Sequence, residues 1–182
     1  MIQHPWHEVP SGFDPESGRV HALIEISTGM RTKYEVDKSS GLLKLDRILY
    51  SSIAYPANYG FIPKSLGIDG DPLDIMILCK EKIQPLCLVP ARIIGVMRMV
   101  DQGQTDDKIL AVPFNDPATR AMSDIVHLEE YLHMELREFF ESYTRLEGKA
   151  VQVPDFQDRS VALTLVKEAV SLYAATYPAA TH

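Results

Sequence analysis

At Asp116-Pro117 the spacing of the apolar residues changes, and this change limits the folds open to the chain more than any other feature. Before it, VHALIEI (20–26), TKYEV (32–36) and GLLKLDR (41–47) alternate apolar and polar residues. That is the period of a strand with one wet face. Gly29 and the pair Ser40-Gly41 supply the turns between them. DIMILC (74–79), PLCLVPARIIGVMRMV (85–100) and KILAVP (108–113) follow as apolar strands in which Pro marks ends, edges or bulges. After Pro117, Leu128, Leu132, Leu136, Phe139, Tyr143 and Leu146 recur at steps of three and four up to Gly148. This spacing predicts an amphipathic helix of about five turns. A second helix is expected from Asp158 and Ser160 through Leu165, Val166, Ala169, Val170 and Tyr173, stopping before Pro178, with the tail 179–182 fraying. Strands first and helices after imply an α+β domain, a small twisted barrel or sheet covered by two helices. The 182 residues fit a single domain spanning 1–182, without repeat, linker or low-complexity stretch.

Composition narrows the function. No stretch approaches the roughly 20 apolar residues of a membrane span, and MIQHPWHEVP lacks the apolar core of a secretory signal, so a soluble, cytoplasmic chain is expected. Cys79 and Cys87 are too few for a disulfide framework and fit no zinc spacing; they are expected to be buried, reduced thiols. The formal net charge of −7 opposes non-specific nucleic-acid binding, which needs clustered Lys and Arg. Any polyanion must be held locally or through metal.

The run IDGDPLDIMIL places Asp69, Asp71 and Asp74 within six residues, around Gly70 and Pro72. A turn of this kind can present several carboxylates to one point. At ~4 Å each like-charged pair costs about 4 kcal/mol at an effective dielectric near 20, so convergence requires cations. The alternative is a turn whose carboxylates point apart and cap backbone amides. An EF-hand is excluded, because counting from Asp69 its sixth and twelfth positions hold Asp74 and Lys80 rather than Gly and Glu. Ligation by oxygen alone favours Mg²⁺, with Mn²⁺ a possible substitute, over Zn²⁺. A second acidic run, VDQGQTDDKILAVP, carries Asp101, Asp106 and Asp107 ahead of Lys108; alone it reads as a solvated hairpin tip. Upstream, Glu25 sits in an apolar strand, Lys33 and Glu35 share one strand face, and Arg47 ends the next strand. Together these residues suggest a β-lined cleft with acids for metal and bases for phosphate. Tyr55 and Tyr59 in AYPANYGFIP either pack or donate to a phosphate oxygen.

KYEVD (33–37), LDRILY (45–50), YPANYGFIP (55–63), DGDPLDIMIL (69–78) and DQGQTDDKILAVP (101–113) resemble, in order and spacing, the soluble family I inorganic pyrophosphatases. The resemblance spans residues 20 to 147, and DQG with DRILYSS is closer to plant-type members. It implies a five-stranded OB-like β-barrel flanked by two main C-terminal helices. It also implies magnesium-dependent hydrolysis of pyrophosphate to two phosphates by direct attack of a metal-activated water. By position in the matched motifs, Asp69, Asp74, Asp101, Asp106 and Glu25 are the implied metal ligands, with two to four Mg²⁺ ions. Asp71 is the implied general base, and Tyr59 is grouped with it as catalytic. Lys33, Arg47, Lys108 and Tyr143, with Glu35 and Tyr55, are implied on the substrate side. Asp107 is expected to face solvent. The family usually has Lys directly after the Tyr of FFESYTRLEG, where this chain has Thr144 followed by Arg145, and Arg145 is the candidate to fill that gap. Short members are often hexamers and longer ones dimers, so a homo-oligomer is implied, a hexamer favoured and a dimer possible. Two readings compete with the enzyme: an OB-like nucleic-acid-binding domain, opposed by the acidic groove, and a metal-binding scaffold without activity, opposed by the presence of every acid the chemistry needs.

Overall fold

The computed structural model describes residues 4–178; the tail expected to fray, 179–182, lies outside them. Its strands are β1 (Arg19–Ile26), β2 (Thr32–Val36), β3 (Leu43–Ile48), β4 (Asn58–Phe61), β5 (Asp74–Ile77), β6 (Leu88–Asp101), β7 (Gln104–Thr105), β8 (Lys108–Pro113) and β9 (Val151–Asp158). Its helices are α1 (Pro5–Glu8), α2 (Glu130–Ser142) and α3 (Arg159–Thr176). Five strands close into a ring. β1 pairs with β4, β4 with β5, β5 with β8, β8 with β6, and β6 returns to β1. Among the described residues only β5 and β8 pair in parallel, with Ile75 opposite Ile109. The long β6 also takes β7 and β9 on its far half, while β2 and β3 form a separate hairpin with Lys33 opposite Arg47.

The ring strands are predominantly apolar because both of their faces are largely covered. Along β5 and β8 the side chains alternate between two cores. Ile75, Ile77, Ile109 and Ala111 join Ala162 and Val166 of α3; Met76, Leu110 and Val112 join Leu136, Phe139 and Phe140 of α2. Each fully buried Ile or Leu adds about 1.5–3 kcal/mol of apolar transfer. A third cluster ties α1 to the rest through Trp6, Leu23, Phe61, Leu66 and Tyr173.

The two C-terminal helices occur where they were expected, with one difference. α3 begins at Asp158, whose carboxylate accepts from the Ser160 and Val161 amides, a normal N-cap. α2 ends at Ser142 and gives way to a 3-10 turn, Arg145–Glu147, closed by Gly148 at φ 74°. The single five-turn helix is therefore a shorter helix and a turn. Both thiols are free, but Cys87 is exposed and Cys79 only half-buried, in contrast to the buried pair expected.

Candidate active site

Strand order brings the acids together. Asp74 opens β5 and Lys108 opens β8; because these neighbours are parallel and in register, both residues emerge at the same end of the ring. β6 runs antiparallel to β8 and ends there with Asp101. Asp69 and Asp71 precede β5, Asp106 precedes β8, and Glu25 lies near the end of β1. The β2–β3 hairpin contributes Lys33, Glu35 and Arg47, and the residue after α2 contributes Tyr143. All thirteen residues singled out from the sequence, Tyr55 and Tyr59 included, line one cavity of about 730 Å³.

At its floor the Lys108 ammonium, 3% exposed, lies 2.5 Å from Asp74 Oδ2 and 2.5 Å from Asp106 Oδ1. Burial works to lower the Lys108 pKa, but the two carboxylates outweigh it and hold the group above its ordinary value. Burial also pushes the Asp106 carboxyl up, with Lys108 opposing and the Asp74 charge adding to the rise. Tyr59 lies beneath, its ring centroid 5.8 Å from the Lys108 ammonium. Burial raises the Tyr55, Tyr59 and Tyr143 hydroxyls above their usual range, so all three are neutral donors at physiological pH. Glu25 is buried in β1, and its Oε1 accepts from the Val36 amide at 2.6 Å. Desolvation nevertheless pushes its carboxyl up to about 8.

One wall is a chain of alternating charges. Lys33 lies 2.5 Å from Glu35 and 3.4 Å from Asp46. Arg47 donates to Asp46 at 2.7 Å and, through Nε, to Glu147 at 2.9 Å. Asp46 and Glu147 carry no sequence signal, because their contribution is to orient Arg47, and Glu147 does so from 100 residues away. Facing this wall, Asp69 Oδ1 accepts from the Asp71 amide at 3.0 Å, while Asp71 contacts the Lys38 ammonium. Asp69 thus fulfils in part the backbone-capping alternative while still lining the cavity. Asp107 departs from expectation. Its side chain is 8% exposed, ion-paired to Arg98 at 3.0 Å and accepting from the Met99 amide. Arg145 is exposed and forms no part of the cavity wall, whereas Thr144 and Lys149 do.

The donor set fits a hard divalent cation. It consists of carboxylate oxygens from four chain segments, and Asp101 Oδ1 is buried without a partner. Asp74 and Asp106 are held side by side by a single ammonium, a grouping that further positive charge stabilises. Among the described residues no three acids converge on one point as they stand; Asp74 and Asp106 meet at Lys108 instead.

A family model described as inorganic pyrophosphatase matches residues 22–174. The chain is 48% identical to soluble inorganic pyrophosphatase PPA1 of Solanum tuberosum, covering 96% of this chain and 82% of that protein. Against soluble inorganic pyrophosphatase 2 of Chlamydomonas reinhardtii it is 45% identical, with 96% and 90% covered. In three dimensions it superposes on the crystal structure of the inorganic pyrophosphatase from Thermus thermophilus with a TM-score of 0.88, at 36% identity, covering 93% of this chain and 98% of that one.

Proposed function

The chain belongs to the inorganic pyrophosphatase family, and from that premise we propose that its acid-lined cavity holds Mg²⁺ and pyrophosphate together for in-line attack by water. The protein is an inorganic diphosphatase that hydrolyses pyrophosphate to two phosphates with a divalent metal. Mg²⁺ is assigned as that metal, with Mn²⁺ as substitute, because every candidate ligand is a carboxylate oxygen. Asp69, Asp74 and Asp106 would hold one ion, Asp74 shared with a second, Asp101 and Asp106 an ion arriving with substrate, and Glu25 a further one through water. When bound, the divalent ions neutralise the substrate's charge and acidify water near neutral pH.

The remaining chemistry belongs to side chains. Pyrophosphate repels an anionic nucleophile until cations neutralise it. Lys33, Arg47 and Lys108, with the Tyr143 hydroxyl, are placed to grip phosphate oxygens, and Glu35 sets the position of Lys33. Asp71, at the mouth of the acid wall, takes the proton from the attacking water. Tyr55 and Tyr59 close the floor and keep water from the buried Lys108 cluster. The observation that supports this reading most is that acids and cations from distant segments line one cavity.

The test is phosphate release from pyrophosphate as Mg²⁺ is raised. The native chain should turn over only with metal. Asp74→Asn should lose at least about 100-fold in rate and need more Mg²⁺, while Asp71→Asn should lose rate yet bind metal normally. Native protein inert at every Mg²⁺ concentration would refute the assignment, and equal loss of metal binding in Asp71→Asn would make Asp71 a ligand.

We further assign one domain over 1–182, a cytoplasmic setting and a homo-oligomer, a hexamer before a dimer. Among the described residues no helix is long and apolar enough to cross a membrane. The oligomer is supported by exposed apolar side chains at and ahead of α2, where Val126, Tyr131 and Met134 face solvent.

A further inference from the structure

The segment after α2 contains two groups that the mechanism above does not use. Thr144 is 1% exposed and lines the cavity beside Tyr143, yet its hydroxyl Oγ1 is buried with no hydrogen-bond partner. A buried hydroxyl left without a partner is unfavourable, because it has given up its hydrogen bonds to water. Lys149 lines the same cavity, its side chain 41% exposed. Four residues lie between them in sequence, but the turn brings their backbones together. Gly148 adopts φ 74° and donates to the Arg145 carbonyl, and the Lys149 amide donates to the Thr144 carbonyl at 3.3 Å. A residue with a side chain is strained at that φ, so glycine sets the reversal.

Glu147, within the turn, links the lysine to the known wall. Its Oε1 accepts from Arg47 Nε at 2.9 Å, and its Oε2 lies 3.7 Å from the Lys149 ammonium. One carboxylate therefore spaces two cations; Arg47 keeps Asp46 as a second partner, and the Lys149 contact to Glu147 is the longer of the two. The Lys149 ammonium and the unpaired Thr144 hydroxyl line the same cavity. We propose that Thr144 Oγ1 and the Lys149 ammonium form a phosphate-oxygen subsite, with Lys149 supplying the cation that Arg145 cannot deliver from outside the wall. The subsite rests on the pyrophosphatase reading and adds two substrate-binding residues to it. Its cation comes from a surface turn; the Lys108 ammonium, by contrast, is fully enclosed.

The experiment is calorimetric titration of the full-length protein with inorganic phosphate in Mg²⁺, alongside KM and kcat for pyrophosphate. A charged hydrogen bond to phosphate corresponds to at least about tenfold in affinity. Lys149→Ala should weaken phosphate binding and raise KM by about tenfold, with kcat within about threefold. Lys149→Arg should stay within about threefold of native. Thr144→Val should lose several-fold in affinity without a lower melting temperature, since the substitution removes an unsatisfied donor. Arg145→Ala, the same charge change outside the wall, should stay within twofold. The proposal is overturned if Lys149→Ala binds phosphate within twofold of native, if Lys149→Arg and Lys149→Ala lose equally, or if Arg145→Ala matches Lys149→Ala. These outcomes are separate from the underlying assignment, which fails only if native protein does not hydrolyse pyrophosphate.

Discussion

Glu25 shows how one buried acid couples the site to stability. In the metal-free chain its carboxyl is pushed up to about 8 by burial, against 4.5 for an ordinary Glu. The folded state therefore binds a proton that the unfolded chain releases between about pH 4.5 and 8. The resulting stabilisation is complete below that window and is lost as pH rises through it. Denaturant melts in a chelator from pH 5 to 9 should show native protein losing stability relative to Glu25→Gln, by a few kcal/mol at most; parallel pH profiles would show that Glu25 is not held neutral. At this scale the sequence was most informative for acids. Asp69, Asp71 and Asp74 announce themselves by crowding, as do Asp101 and Asp106. Asp46, Glu147 and Lys149 were silent, because no local sequence pattern marks them and their places beside Arg47 and in the cavity wall arise only on folding. Asp107 looked like a solvated neighbour of Asp106, but its ion pair with Arg98 is invisible without β6 in place.

Among the elements, period-two patterning identified β1, β2 and β3 and apolar runs identified β5, β6 and β8, so four of the five ring members were recognisable strands. It missed β4, whose residues Asn58–Phe61 are all buried within a block dominated by Tyr, Pro and Gly, so no alternation is visible. Close packing explains the glycine in that block. A Cβ on Gly60 would lie 1.9 Å from the Leu23 carbonyl oxygen across the β1–β4 pair. Gly60→Ala should therefore part the ring at that seam, destabilising by at least about 3 kcal/mol and lowering soluble yield; a variant melting within a few degrees of native would mean the seam can shift. β9 was also missed. Pro154 and a polar sequence disguise a strand that depends on pairing with the far half of β6. The helix after Pro117 was expected to be too long because Tyr143 and Leu146 continue its spacing, although the backbone tightens into a 3-10 turn after Ser142.

For the whole molecule, closure of the ring matters more than any one strand. The parallel β5–β8 pair, flanked by antiparallel neighbours, gathers the starts of two strands and the end of a third at one rim, and α2 and α3 cover opposite faces. Assembly extends this scale: light scattering should give about six times the 20.4 kDa chain, and a monomeric mass at micromolar concentration would contradict the proposed homo-oligomer. The shape of the rim leads to a direct test. Crystals grown with Mn²⁺ and measured for anomalous scattering should show manganese in the cavity within about 2.2 Å of Asp74 and Asp106 oxygens, with the Lys108 ammonium moved from between them. Density confined to the surface, with Lys108 still bridging the two carboxylates, would contradict a metal-assisted site at this rim.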